Sequence, residues 1–179
     1  MTLTLRTPAT PLDWLHIRLL YRKAFPRYER KPFKIIRRMH REERTDVWLA
    51  ECDGRFAGLA TTINGDDTIL LDYFAVTKKL RSKGVGSRFL QALLDKYAGH
   101  GLFVEIEAAD RDDPTGEKAR RKAFYLRNGL SDMHVVAVLF GVRMELLGQG
   151  CSLDFDSYRA LYHDHYNAWA AEHVVRPED

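Results

Sequence analysis

The chain has 179 residues, of which 45% are hydrophobic and 30% charged, so it can bury the core of one domain, or of one domain with an appendage. No apolar run approaches the roughly 20 residues that cross a bilayer, and the first residues lack the pattern of a signal peptide. The two cysteines, Cys52 and Cys151, have no nearby Cys or His at metal-ligand spacing. We therefore expect a cytoplasmic protein with no membrane partner.

Positive charge is concentrated in one stretch of the chain. The net charge is +3, yet residues 27–44 hold eight Arg or Lys against three Glu, a local excess of +5. The residues after Gly150 are predominantly acidic. A local basic patch on an otherwise near-neutral chain argues against a dedicated nucleic-acid binder, so we expect no nucleic-acid partner. The patch is compatible with an anionic cofactor or an acidic substrate.

The first half of the chain predicts helices alternating with strands. Pro11 follows Thr10, and proline is favoured at the first position of a helix. Asp53-Gly54 is a favoured two-residue hairpin turn. Pro26 and Pro32 bound a linker between the first two helices. The predicted elements are a strand at 3–6, helices at 11–25 and 33–40, strands at 46–52 and 56–63, a turn at 64–67, and a strand at 69–76.

The second half continues with the same two kinds of element. The predicted elements are a polar loop at 77–83, a helix at 85–97, a strand at 102–108, a polar loop at 110–116, a helix at 117–128, strands at 133–140 and 142–147, and a last helix at 152–174. Helices set between mostly antiparallel strands indicate an α+β fold, with a sheet of about seven strands flanked by helices.

Two glycines, Gly84 and Gly86, stand where the strand at 69–76 gives way to the next helix. A helix N-terminus carries about half a positive charge and several unpaired N–H groups. Glycine lets a ligand approach these groups without meeting a Cβ atom. Arg81 and Lys83 add two cations, and the combination suits a diphosphate.

The pattern Arg-x-x-Gly-x-Gly at residues 81–86 resembles the acyl-CoA signature of the GNAT N-acetyltransferases. Residues 123–130 look like the second motif of that family, a helix carrying Tyr-x-x-x-Gly-Phe, with Leu130 in place of the Phe. The resemblance covers about residues 3–147. It implies the GNAT-type acyl-CoA N-acyltransferase fold, with residues 1–150 as the transferase domain and 151–179 as a C-terminal helical extension.

The resemblance also implies that acetyl-CoA binds as the acyl donor. In the family, the strand before the glycine loop leaves backbone groups free to pair with the pantetheine arm, and the loop amides hold the diphosphate. A backbone N–H near Val76 would stabilise the oxyanion. The cofactor-binding residues carried over by position are Phe74, Ala75, Val76, Arg81, Ser82, Lys83, Gly84, Val85, Gly86 and Ser87.

Tyr125 matches the family tyrosine that often faces the CoA sulfur, where it would donate a proton or a hydrogen bond to the leaving thiolate. The structural alternative is an aromatic side chain packed on an amphipathic helix. The family often has Asn seven residues before this tyrosine and a small residue four before it. Lys118 and Arg121 stand there instead, and would reach the CoA phosphates or face solvent.

The acceptor amine must lose a proton before it attacks, which costs about 4 kcal/mol at pH 7 for an amine pKa near 10. Glu105 and Glu107 lie two apart on a predicted strand, so both carboxylates face one way and either can serve as the base. Asp72 and Glu29 stay open as further candidates. For each of the four, a solvated or ion-paired carboxylate is the structural alternative.

The last predicted helix carries one largely apolar face, which would dock on the body of the protein or on a second subunit, so a homodimer is one expectation. That face comprises Tyr158, Leu161, Tyr162, His165 and Trp169. His163 and His165 point about 200° apart on a helix, too far to share an ion, and we expect no metal site.

The sequence therefore predicts an N-acetyltransferase that moves an acetyl group from acetyl-CoA to a primary amine of a small molecule or peptide, by direct attack in a ternary complex. One alternative is a catalytically silent module of the same fold that binds acyl-CoA. Another is an adaptor that uses the basic patch at 27–44, although acidic residues interrupt that patch and no aromatic residues are spaced for base stacking. The acceptor amine is not identified by the sequence.

Overall fold

The computed structural model describes residues 2–65, 67–109 and 112–178. Asp66, in the predicted turn, and Asp110 and Arg111, in the predicted polar loop, lie outside the described residues. The elements in chain order are β1 (Leu3–Arg6), α1 (Pro11–Ala24), α2 (Phe33–Arg41), β2 (Thr45–Cys52), β3 (Arg55–Asn64), β4 (Thr68–Val76), α3 (Val85–Lys96), β5 (Gly101–Glu107), α4 (Glu117–Arg127), β6 (Ser131–Leu139), β7 (Val142–Gln149), α5 (Phe155–His165), α6 (Ala168–Glu172) and β8 (Val174–Val175).

The eight strands form one mixed sheet in the order β1-β2-β3-β4-β5-β7-β6-β8. Of the six strand pairs whose register is described, five are antiparallel, and β4 with β5 is parallel. A sheet with helices between its strands confirms the predicted α+β class and the fold implied by the family resemblance. The eighth strand was not predicted: Val174 and Val175 pair with Leu139 and Val138 instead of ending a helix.

The predicted single helix at 152–174 is wrong, because the chain forms α5, α6 and β8 there. Asn167 adopts an extended backbone, and its side-chain oxygen accepts a hydrogen bond from the amide of Ala170, so it caps a new helix. The break turns Trp169 out of the predicted apolar face, and its side chain is 60% exposed. Tyr158, Leu161 and Tyr162 precede the break and are buried as expected.

The chain divides into two compact units, Met1–Asn64 with Leu71–Lys96, and Gly65–Leu70 with Tyr97–Asp179. In the first unit, α1 and α2 bury apolar side chains against β2, β3 and β4. Gly58 of β3 permits close packing within this unit, because a Cβ atom there would lie 2.6 Å from the Ala75 carbonyl oxygen and 3.1 Å from the Phe89 ring. The core cluster comprises Ile17, Leu20, Tyr21, Ile36, Val47, Leu49, Leu59, Tyr73 and Ala75.

In the second unit, β5 pairs with the first three residues of β4 and, over six residue pairs, with β7. The hairpin between β6 and β7 turns through Phe140 (φ 47°) and Gly141 (φ 83°), two left-handed residues in succession, as in the tight turns that fit strand twist. No helix in the described ranges is long and apolar enough to cross a bilayer.

The start of α1 is fixed by a buried carboxylate. Thr10 and Asp13 form a reciprocal capping box, and Asp13 accepts further hydrogen bonds from the Ala9 amide at 2.9 Å and from both terminal nitrogens of Arg6 at 2.6 and 2.9 Å. The Arg6 guanidinium holds the pKa of the Asp13 carboxyl well below its usual range, with further lowering from these amides. Arg6 also binds Glu51 of β2.

We expect Asp13→Ala to destabilise the protein by about 2–3 kcal/mol, because two amide donors and one charged partner lose their acceptor. Urea unfolding at pH 7 measures the loss, and Asp156→Ala, which breaks an exposed ion pair with Arg176, should cost no more than about 0.5 kcal/mol. A depressed folded pKa stabilises the protein above the unfolded value near 3.9, so the difference between parent and Asp13→Ala should shrink below pH 4. An unchanged difference there would contradict this account.

Candidate active site

Residues 81–84 form an exposed loop, and residues 85–87 make the first turn of α3 that follows it. Ser82 (φ 59°) and Gly84 (φ 74°) are left-handed, and no heavy atom lies within 4 Å of where a Cβ of Gly84 would stand. The Arg88 amide donates to the Gly84 carbonyl oxygen at 3.1 Å, and this is the first backbone hydrogen bond of α3. The amides of residues 85–87 are therefore those that an α-helix leaves without an intrahelical acceptor. The loop offers N–H groups and open space to an anion.

Arg81 and Lys83, the two cations predicted to bind the diphosphate, differ in their contacts. Arg81 donates from Nε to the Val76 carbonyl oxygen at 3.3 Å, so its guanidinium is tied to the end of β4. Lys83 is exposed, and Val85, the first residue of α3, is 1% exposed. Val85 anchors the helix start in the core while the neighbouring residues 81–84 face solvent.

The end of β4 holds the predicted pantetheine-binding residues. The parallel pairing of β4 with β5 comprises three residue pairs at Thr68–Leu70, and none of these pairs includes Phe74, Ala75 or Val76. Ala75 and Val76 are buried, and the Phe74 ring lies 4.9 Å from that of Phe89. The structure thus places all ten predicted cofactor residues at the end of one strand and in the loop and helical turn that follow it.

Tyr125 lies on α4 with its side chain buried and 7% exposed. Among the described residues its hydroxyl has no hydrogen-bond partner. Burial raises the pKa of Tyr125 to about 12, although nearby Arg121 lowers it. The phenol is therefore neutral at physiological pH and keeps its proton as a hydrogen-bond donor.

Glu105, on β5, is oriented by a residue of the C-terminal segment. The Tyr162 hydroxyl of α5 lies 2.8 Å from one carboxylate oxygen of Glu105 and 2.9 Å from the other. The Tyr158 hydroxyl, one turn earlier, is buried without a hydrogen-bond partner of normal geometry. Burial, and then the negative charge of Glu105, raise the pKa of both tyrosines well above the usual value. Glu105 thus accepts from a neutral phenol.

The other candidate bases have cationic partners. Glu107 lies 3.3 Å from the Lys118 ammonium of α4, and Asp72 binds Lys31 at 2.7 and 2.8 Å. Glu29 is exposed in the linker between α1 and α2, where its backbone carbonyl accepts from the Tyr73 hydroxyl at 2.7 Å.

The two residues that depart from the family pattern have local partners. Lys118 pairs with Glu107, and Arg121 lies 3.3 Å from Glu117, one turn earlier on α4. Lys122, between them and Tyr125, joins Asp132 and Glu145 at 2.9 and 2.6 Å, and both partners raise its pKa. These pairs fix α4 on the strands of the second unit.

The sequence did not assign Tyr162 to the site. It was placed on an apolar helix face, and its contact with Glu105 joins positions 57 residues apart. The available signal was a run of tyrosines at spacing four, Tyr158, Tyr162 and Tyr166, of which the first two were on the predicted apolar face. A buried tyrosine generally needs a polar partner for its hydroxyl, which in principle points to a carboxylate.

Comparison with known proteins identifies the family. A family model described as the acetyltransferase (GNAT) family matches residues 14–129. No curated protein matches by sequence. A GNAT-family protein from Bacteroides thetaiotaomicron superposes with a TM-score of 0.75 at 20% identity, covering 96% of this chain and 99% of its own.

Two further solved structures share the fold. The ribosomal-protein-S18-alanine N-acetyltransferase from Escherichia coli has a TM-score of 0.64 at 18% identity, with 85% of this chain and 96% of its own covered. An aminoglycoside 6'-N-acetyltransferase complexed with coenzyme A has a TM-score of 0.64 at 12% identity, and the match covers 83% of this chain and 96% of the other. The fold and the family match agree, and the chain belongs to the GNAT acetyltransferase family.

Proposed function

We propose that this protein is an acetyl-CoA-dependent N-acetyltransferase that acylates a primary amine of a small molecule or peptide by direct attack in a ternary complex. The observation that carries the proposal is the exposed loop at residues 81–84 followed by the helix start at residues 85–87, with the left-handed Gly84, the open space beside it and the helix-start amides. Membership of an acetyltransferase family supports it, as does the coenzyme A complex of a structural neighbour.

In this proposal the loop amides and Lys83 hold the diphosphate, and the backbone of Phe74, Ala75 and Val76 pairs with the pantetheine arm. An N–H near Val76 stabilises the oxyanion. These roles follow from matched motif positions and from the chemistry of the exposed groups.

Glu105 is the proposed base, because the Tyr162 hydroxyl holds both of its carboxylate oxygens, at 2.8 and 2.9 Å, and so fixes the orientation of the carboxylate. It removes a proton from the acceptor ammonium, directly or through water. The amine nitrogen then attacks the thioester carbonyl carbon and a C–N bond forms. The nitrogen gives up its extra proton to solvent, and the C–S bond breaks to release the amide and a thiolate.

Tyr125 is the proposed partner of that thiolate. A thiol has a pKa near 8.5, so complete proton transfer from a phenol at about 12 would cost about 5 kcal/mol. The raised pKa therefore favours a hydrogen-bond donor that stabilises the sulfur anion, with the final proton supplied by solvent. The second candidate function, a silent acyl-CoA-binding module, would use the same loop and leave Glu105 and Tyr125 without a chemical role.

We propose a cytoplasmic location, and a transferase domain of residues 1–150 with an extension at 151–179. The contact between Tyr162 and Glu105 gives that extension a role, since it orients the proposed base.

Acetyl-CoA at about 100 times its dissociation constant should raise the unfolding temperature by about 5–10 °C, because binding to the folded state alone adds about 2.7 kcal/mol. Gly86→Glu should lose this rise: its carboxylate would stand in the first turn of α3 and repel the diphosphate. An acidic residue is otherwise favourable at that end of a helix, so the variant should fold. Thermal unfolding with acetyl-CoA, with CoA and without ligand measures both effects.

Gln91→Glu, which places the same charge at an exposed position farther along α3, is the matched control and should retain the rise. No rise in the parent protein would remove the donor and with it the transferase. A rise without turnover of any amine would instead support the silent module.

A further inference from the structure

We propose that the first unit contains a binding site for oxyanion groups, carboxylate or phosphate, of the acceptor amine, which extends the transferase proposed above to acidic acceptors. The site is a cavity of about 270 Å³ between the end of α1, the linker that follows it and the start of α2. We call it the basic cavity; its lining residues are Arg18, Tyr21, Arg22, Arg27, Arg30, Lys31, Pro32 and Phe33.

The lining carries five cationic side chains and no acidic one. Within the described ranges, the guanidiniums of Arg18, Arg22, Arg27 and Arg30 have no ion pair. Guanidiniums that line one concave surface repel each other, and a surface of one charge sign attracts a ligand of the opposite sign. Four unpaired guanidiniums around a common space therefore match a ligand of opposite charge.

One of these arginines also has an unsatisfied buried atom. The Nε of Arg30 is buried without a hydrogen-bond partner. A buried N–H donor without an acceptor is unfavourable, and an oxyanion in the cavity would supply the acceptor. The Arg30 guanidinium presents a fork of donors that matches carboxylate and phosphate oxygens.

The helix α2 adds to the positive potential. It begins at Phe33 after Pro32, with no side-chain cap and no acidic residue in its first turn. Its positive end is therefore not neutralised by a local carboxylate, and both Pro32 and Phe33 line the cavity.

Lys31, one of the lining residues, is held in place by hydrogen bonds to α1 and β4. The Tyr21 hydroxyl donates to the Lys31 carbonyl oxygen at 3.1 Å, the Tyr73 hydroxyl accepts from the Lys31 amide at 3.1 Å, and the Lys31 ammonium binds Asp72. Tyr73 directly precedes Phe74 on β4, the first of the proposed pantetheine residues. These hydrogen bonds link the basic cavity to β4 within the same unit, next to the proposed pantetheine-binding residues.

The test uses three short peptides with a free amino terminus and an amidated carboxyl terminus: Ala-Glu-Glu-Ala, its phosphoserine counterpart Ala-pSer-pSer-Ala, and Ala-Gln-Gln-Ala, the neutral peptide, whose side chains carry no charge. Acetyl transfer gives kcat/KM for each, and calorimetry at low ionic strength without CoA gives each dissociation constant. We expect one or both anionic peptides to exceed the neutral one at least tenfold in kcat/KM. The two anionic arms distinguish a carboxylate ligand from a phosphate ligand.

Arg22→Gln and Arg30→Gln should each weaken binding of the favoured anionic peptide about tenfold and leave the neutral peptide unchanged. Arg41→Gln, on the exposed end of α2 outside the cavity, is the matched control. It should change the binding of neither the anionic nor the neutral peptide. Arg22 is exposed, so its variant should fold even if that of Arg30 does not.

Equal turnover of all three peptides would overturn the basic cavity and leave the transferase standing. Anionic peptides that bind through Arg22 without being acetylated would overturn the role of the cavity in acceptor binding, and the acetyl-CoA experiment would judge the transferase. An absence of both binding and turnover for the anionic peptides would overturn the cavity, and the acetyl-CoA experiment would then judge the transferase separately.

Discussion

Replacement of Glu105 by glutamine is expected to lower kcat by two to three orders of magnitude, with a smaller change in KM. The glutamine side chain keeps the shape of Glu105 and can still accept from Tyr162, but it cannot take a proton from the acceptor ammonium. General base catalysis contributes about 10²–10⁴ to a rate, and this substitution removes it. Steady-state kinetics at saturating acetyl-CoA measure the change.

The reaction should partly recover at high pH, because a larger fraction of the amine is then neutral without help from the enzyme. Raising the pH from 7 to 9 should therefore increase the kcat of Glu105→Gln relative to the parent protein. A structural role for Glu105 would lower the unfolding temperature and give no such recovery.

Two companion variants sharpen the assignment. Glu107→Gln should lower kcat less than about fivefold, since its carboxylate is already paired with Lys118. Tyr162→Phe removes the hydroxyl that orients Glu105 and should lower kcat about tenfold while leaving the base in place. If Glu107→Gln proves the more damaging variant, the base is Glu107 and the roles of the two carboxylates are reversed.

Replacement of Tyr125 by phenylalanine is the second large expected effect, with kcat lowered about 10²-fold. The variant removes one donor aimed at a charge that develops in the transition state, a loss typically worth 10²–10³ in rate. Its ring and packing stay the same, and the parent hydroxyl has no hydrogen-bond partner in the described structure, so stability should change by less than about 0.5 kcal/mol.

The pH dependence separates this role from that of a titrating acid. Because the pKa of Tyr125 is about 12, the phenol stays protonated at pH 7–10, and kcat should not fall in that range through its ionisation. Tyr166→Phe is a matched control on a partly exposed tyrosine and should leave kcat unchanged. A loss of activity in Tyr125→Phe that merely follows a loss of folded protein would refute the role.

The local elements could be predicted because their signals are local. The apolar spacing of α3, the Thr10-Pro11 start of α1 and the Asp53-Gly54 turn depend on neighbouring residues, and the structure has all three. Asp53 and Gly54 are both left-handed, as the predicted two-residue hairpin requires. For the same reason, the sequence of residues 81–87 was enough to predict a loop followed by a helix start.

The C-terminal segment shows where local signals fail. The periodicity of residues 155–165 continued smoothly into the predicted long helix, and the capping side chain of Asn167 competed with that pattern and ended it. Val174 and Val175 form a strand only because the edge of β6 offers them backbone partners. A strand of two residues has no periodicity of its own to detect.

The sequence by itself determined the α+β class, the order of the elements as far as β7, the family and the position of the glycine loop before α3, because these depend on residue type and short spacing. Only the tertiary structure decided which carboxylates are paired. Lys31 meets Asp72 across 41 positions, and Tyr162 meets Glu105 across 57. Such contacts follow from how strands and helices pack, and their energies depend on burial and distance, which no local pattern encodes.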